Sequence, residues 1–98
     1  MLTWPPKKSD YPRQIAVADA IYSVKFVRKI DDIGTLGLCD SGEKVITIKL
    51  GQSRADTLLT FIHELFHCLE FEYHFDINHK TIHKLEKPVA ALLFDNFL

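Results

Sequence analysis

Sulfur is scarce in this chain, with two cysteines and one methionine among 98 residues. Cys39 and Cys68 form no CxxC pair, which excludes a thiol-rich metal knuckle and a dense disulfide framework. They read as free thiols of a reducing compartment, and a cytoplasmic location is expected. The opening MLTWPPKKSDYP has no apolar h-region, so no secretory signal is read there. No apolar run approaches the length of a membrane span, so no membrane partner is expected. There is no basic block and the formal net charge is −1, so no nucleic-acid partner is expected. Repeats and low-complexity tracts are absent as well.

What remains is a chain rich in core formers, 47% hydrophobic and 11% aromatic. Its length fits one domain over residues 1–98. A domain of this size buries only a modest share of its surface, so a bound metal could add stability as well as chemistry. Residues 1–12 hold three of the four prolines and read as an extended arm, with Trp4 placed to tuck it against the domain.

From Ile21 to Lys29 the side chains alternate, with Tyr22, Val24 and Phe26 on one face and Ile21, Ser23, Lys25 and Val27 on the other. This is the period of a strand. Asp31, Asp32 and Gly34 mark a turn, and 35–39 reads as a short second strand. Asp40-Ser41-Gly42-Glu43 signals a hairpin into a third strand over 44–50, KVITIKL. Three sequential strands with tight turns predict a small antiparallel meander. The last of them is the expected edge, where an extended peptide could add by main-chain hydrogen bonds.

Gly51 ends the strand, and Ser53 is placed to cap a helix, with Asp56 three residues on as in a capping box. Leu58, Ile62, Leu65 and Leu69 then recur at helical spacing, predicting a helix from about Arg54 to Tyr73. Residues 75–78 read as a loop with Asn78 as the next cap. Ile82, Leu85, Val89, Leu92 and Leu93 predict a second helix, kinked or broken near Lys87 by Pro88. Strands first and two helices after them give an α+β fold.

The first helix carries His63-Glu64-Leu65-Phe66-His67, an HExxH pattern. Four residues advance a helix by about 400°, so the two imidazoles stack one turn apart on one face, where they can hold a divalent metal, usually zinc. Glu64 beside the first ligand then suits the role of general base toward a water activated there. A shuffled chain of this composition contains the string in about one case in a hundred, and the helical context is what raises it above chance. Cys68 points about 100° away from His67 and does not join the ligand set.

A catalytic zinc generally has three protein ligands. Glu70 and His74 share the face of His63 and His67 but lie further along a straight helix; Glu70 suits orientation of a ligand imidazole. His79 and His83, on or before the second helix, are chemically reasonable ligands. Glu86 lies in the apolar stretch LEKPVAALL, where a carboxylate needs a reason to be buried, and a metal supplies one. Glu86 is the first choice and His79 or His83 the alternative.

The run Thr-Phe-Ile-His-Glu-Leu-Phe-His, followed by Leu-Glu-Lys-Pro-Val-Ala-Ala-Leu-Leu, resembles the minimal zincins of bacteria and their phages. These are small gluzincin-type metallopeptidase domains related to the ImmA/IrrE group, and the resemblance covers about residues 44–96. It implies Zn2+ held by His63, His67 and Glu86, with Glu64 as catalytic base, in a domain whose small antiparallel sheet packs on the active-site helix. It further implies a peptide or protein substrate, with a regulator as one candidate, in a phage or mobile-element setting. The chain departs from that group in lacking an appended regulatory domain or DNA-binding segment. The SprT-like zincins match less closely; there a downstream histidine, here His79 or His83, would be the third ligand.

Two other readings stand beside the peptidase. One is a non-catalytic zinc-binding interaction module on the same scaffold, with a protein side chain closing the fourth metal position. The other is an inhibitory protein without metal, its histidines incidental. For the peptidase, a group facing the oxyanion is also needed, and Tyr73, His74, His79 and His83 are the candidates.

Overall fold

The computed structural model describes residues 6–96, the last three by their backbone alone. Trp4 lies outside the described residues. A 3-10 turn at Lys8–Asp10 leads into β1 (Gln14–Val17), β2 (Ala20–Val27), β3 (Gly37–Asp40), β4 (Val45–Lys49), α1 (Arg54–Tyr73) and α2 (His79–Asn96). The class is α+β, with α1 packed on one face of the sheet and α2 packed against α1.

The sheet differs from the expected meander. Among the described residues it has four strands in the order β1-β2-β4-β3 and is mixed, with β2 and β4 parallel and the other two pairings antiparallel. Two physical causes account for this. The β1–β2 turn at Ala18 and Asp19 holds no glycine, proline or asparagine; Ala18 itself takes φ +54°, and a lone Asp19 is a weak mark for a turn. The connection over 28–36 is long enough to pass over one strand position, roughly 10 Å across two strand spacings. The β3–β4 hairpin then folds back and lays β4 against β2. The strand before α1 is therefore internal, and β3 is the free edge next to it.

The hairpin turn is built as its sequence suggests. Asp40 Oδ1 accepts from the backbone N–H of Gly42 at 3.0 Å and of Glu43 at 2.9 Å. Tyr22, Ile46 and Ile48 are wholly buried on the sheet face that meets Phe61 and Cys68 of α1. On the opposite face Ile21, Lys25 and Leu38 are exposed, so the period-2 pattern is a true inside–outside alternation. A second cluster joins the helices through Leu58, Ile62 and Ala90, with Phe66 and Val89 packed on it. Tyr11 rests edge-on against Phe26 and Phe61 and closes the core at the N-terminal side.

α1 begins where its cap predicts: Ser53 Oγ accepts from the N–H of Asp56 at 3.0 Å. It ends at His74, which takes the left-handed conformation (φ 57°, ψ 53°) and donates its N–H to the carbonyl of Glu70. Asn78 caps α2 through Oδ1, which accepts from Lys80 N at 2.8 Å. No break occurs near Lys87; α2 continues through Pro88. Proline removes the bond to the carbonyl of Lys84, but Lys84, Lys87 and Pro88 are all exposed, so that carbonyl stays open to water. Buried Ile82, Glu86 and Ala90 hold the opposite side of the helix on the protein. Among the described residues, no helix is long and apolar enough to cross a membrane.

Candidate functional site

α1 lies along β3 at very short range. A Cβ at Gly37 would stand 2.7 Å from Thr60 Cγ2, 3.1 Å from Glu64 Cγ and 3.2 Å from Glu64 Oε2. Only a residue without a side chain lets the strand pass under this part of the helix. The requirement was detectable, since a glycine inside a strand-like run signals close backbone approach, but the sequence reading passed it over. Gln52 fixes the same corner: its Nε2 donates to the carbonyl of Lys49 at 2.9 Å, and its Oε1 accepts from Thr60 Oγ1 at 2.8 Å.

Beside this corner the two helices enclose a cleft of about 540 Å³, lined in part by Gly37, Thr60, His63, Glu64, His79 and Glu86. Three imidazoles converge here. His67 Nε2 is 3.1 Å from His63 Nε2 and 3.2 Å from His79 Nε2. The other nitrogen of His63, Nδ1, faces Glu86 Oε1 at 2.6 Å, and that of His67 faces Glu70 Oε1 at 2.8 Å. A carboxylate only accepts, so with Nδ1 of each neutral ring donating to its carboxylate, each Nε2 presents a lone pair. Lone pairs aimed at one another across 3.1 Å repel unless a cation or proton lies between them. In a tetrahedral zinc site, ligands at about 2.0–2.1 Å from the metal sit roughly 3.3 Å apart, close to the spacing found. The donor set therefore fits a divalent metal.

The carboxylates around the cluster have separate tasks. Glu70 accepts from the backbone N–H of Ile77 at 2.8 Å through its second oxygen, and that bond, with His67 adding to it, holds its carboxyl below the usual range. Glu86 is buried on α2 and sits behind His63, with His83 Nδ1 3.3 Å from the same oxygen. Two groupings of metal-ligating type thus share His63: one with His67 and His79, the other with His83 and Glu86. Burial lowers the pKa of His63, which favours the neutral ring that a metal needs. Glu64 is buried at the cleft wall without a hydrogen-bond donor among the described residues, and desolvation pushes its carboxyl up to about 7.

The expected site residues His63, Glu64, His67 and Glu86 are thus brought together, with His79 and His83 joining them. Tyr73 and His74 are not; both are exposed at the C-terminal end of α1, and His74 lines a different cleft with Phe71 and Phe75. Comparison with protein-family profiles, with curated proteins and with solved structures finds no match to this chain.

Proposed function

We propose that this chain is a zinc-dependent metallopeptidase of zincin type. The observation that carries the reading is the convergence of three Nε2 atoms, from His63, His67 and His79, beside a cleft walled by the buried carboxyl of Glu64. The geometry favours His79 as third ligand, with Glu86 orienting His63 from behind; the grouping that contains Glu86 is the alternative ligand set. Zinc held there would supply Lewis acidity, polarising a carbonyl and making water nucleophilic near neutral pH. Glu64 takes the proton from the attacking water and returns it to the leaving amine. His83, in the cleft and exposed, is the residue best placed to face an oxyanion.

The substrate is a peptide or protein laid along β3. Lys49 donates to the carbonyl of Leu36, so by the alternation of antiparallel pairing the main-chain groups of Gly37 and Cys39 point away from β4. They form an open edge for an extended chain within reach of the cleft. We infer a cytoplasmic setting, which suits two free thiols. Cleavage of a regulator in a phage or mobile-element context rests on the motif resemblance alone.

The test is zinc content by elemental analysis of protein purified without a nickel column. Near-stoichiometric zinc should be lost in His67→Ala and His79→Ala and weakened in Glu86→Gln. Retention in His79→Ala with loss in Glu86→Gln would move the third ligand to Glu86, and no zinc in the parent protein after reconstitution would discard the enzyme. Glu64→Gln should keep the metal and abolish peptide hydrolysis. A non-catalytic zinc module is the second reading. It is favoured by the closeness of His83, whose ring centroid is 5.0 Å from that of His63 and which could close the coordination shell. Full function in Glu64→Gln would select it.

A further inference from the structure

Cys39 and Cys68 are 29 positions apart in sequence, yet their Sγ atoms lie 2.9 Å apart across the interface between β3 and α1. Both are free thiols; Cys68 is wholly buried, and Cys39 is half-buried and reaches a second cleft, about 490 Å³, that His67 and Glu70 also line. A disulfide needs its sulfurs at 2.03–2.05 Å, an approach of about 0.9 Å from where they stand. We propose that Cys39 and Cys68 form a reversible disulfide that fastens the free edge strand to the histidine-bearing helix. The proposal stands whether or not the cluster binds metal.

The oxidant is a low-molecular-weight disulfide, RSSR, entering by the second cleft. The Cys39 thiolate attacks one of its sulfurs, forms a mixed disulfide and releases RS−. Cys68 attacks the Cys39 sulfur and expels the second RS−, its own proton passing to that departing thiolate. Two cysteine thiols are oxidised, RSSR is reduced to two RSH, and the released thiolates take up the two protons. A dithiol reverses each step. In a compartment that keeps thiols reduced, such a bond is a transient state set by the redox poise. It would hold β3, with the outward main-chain groups of Gly37 and Cys39, rigidly against α1.

The test treats native, full-length protein with glutathione disulfide. Free thiols should fall from two to none, with intact mass showing the loss of two hydrogens and no glutathione adduct. The melting temperature should rise by roughly 10 °C or more, as expected for a loop of this length, and return with dithiothreitol. Cys68→Ser, and Cys68→Ala as a second variant, should stop at a glutathione adduct on Cys39, whereas Cys39→Ser should stay unmodified. Adducts persisting on the parent protein, dimers linked through cysteine, thiols that react only after unfolding, or an unchanged melting temperature would each overturn the proposal.

Discussion

Gly37 of β3 lies directly under Glu64 of α1, so near that a methyl group at Gly37 would stand 3.2 Å from the carboxylate oxygen and 2.7 Å from the methyl of Thr60. Gly37→Ala is therefore an overpacking change, worth about 1–3 kcal/mol. Thermal unfolding should show a melting temperature lower by roughly 5–15 °C. Adding Thr60→Ser removes the nearest methyl while keeping the hydroxyl that reaches Gln52, and should restore part of the loss. An alanine tolerated without cost would mean that the strand and helix are not in this contact.

Glu70 joins the His67 ring to the backbone of Ile77. Glu70→Ala frees the ring to turn and loosens the loop that leads to His79. Metal affinity should fall about 10–100-fold, measured by competition with a chromophoric chelator. Unchanged affinity would show that Glu70 is only a helix charge.

The buried carboxyl of Glu64 gives a pH signature in metal-free protein. Desolvation raises its pKa from 4.5 in the unfolded chain to about 7 in the fold. Over that window the folded state holds the proton more tightly, so stability falls as pH rises from 4.5 to about 7 and levels off above it. Glu64→Gln should remove this slope, and should raise the melting temperature of the metal-free protein more at pH 8 than at pH 4. Parallel pH profiles for the two proteins would contradict it. A cation bound nearby favours the ionised form and should flatten the slope in the parent protein too.

Pro88 sits inside α2 with its ring exposed. An interior helical proline costs about 3 kcal/mol against alanine, offset by up to about 1 kcal/mol from its restriction of the unfolded chain. Pro88→Ala should stabilise the domain by about 2 kcal/mol, readable in denaturant titration. No gain would mean that the proline is already relieved by a local change in the helix.

Much of the local structure was legible. α1 spans the range its sequence predicts because Ser53 caps it, no glycine or proline interrupts it, and it buries two adjoining sides, Phe61 and Cys68 on the sheet and Leu58 and Ile62 toward α2. The strands of β2 and the β3–β4 hairpin were readable from alternation and from Asp40 and Gly42. Strand order was not, because Val45 and Ser23 carry no local sign that they are neighbours; that follows only from how the hairpin docks. The pairing of His63 with His67 is a property of one helix and can be read from spacing. The positions of His79 and Glu86 depend on how α2 packs on α1, which spacing does not encode. Cys39 and Cys68 were hidden for the same reason, each being local to a different element.

The cleft draws on residues from Gly34 onward and on none of the described residues before it. Among the described residues, the β1–β2 hairpin and residues 6–13 ahead of it thus serve as a foundation, meeting the chemistry through the packing of β4 and α1. Drift in the first third of the chain can be broad as long as Val17 and Val24 stay apolar and of similar size and Tyr22 keeps the ring and the hydroxyl that donates to Glu72. Distant copies of such a domain would then share the later segment while their opening residues diverge beyond recognition.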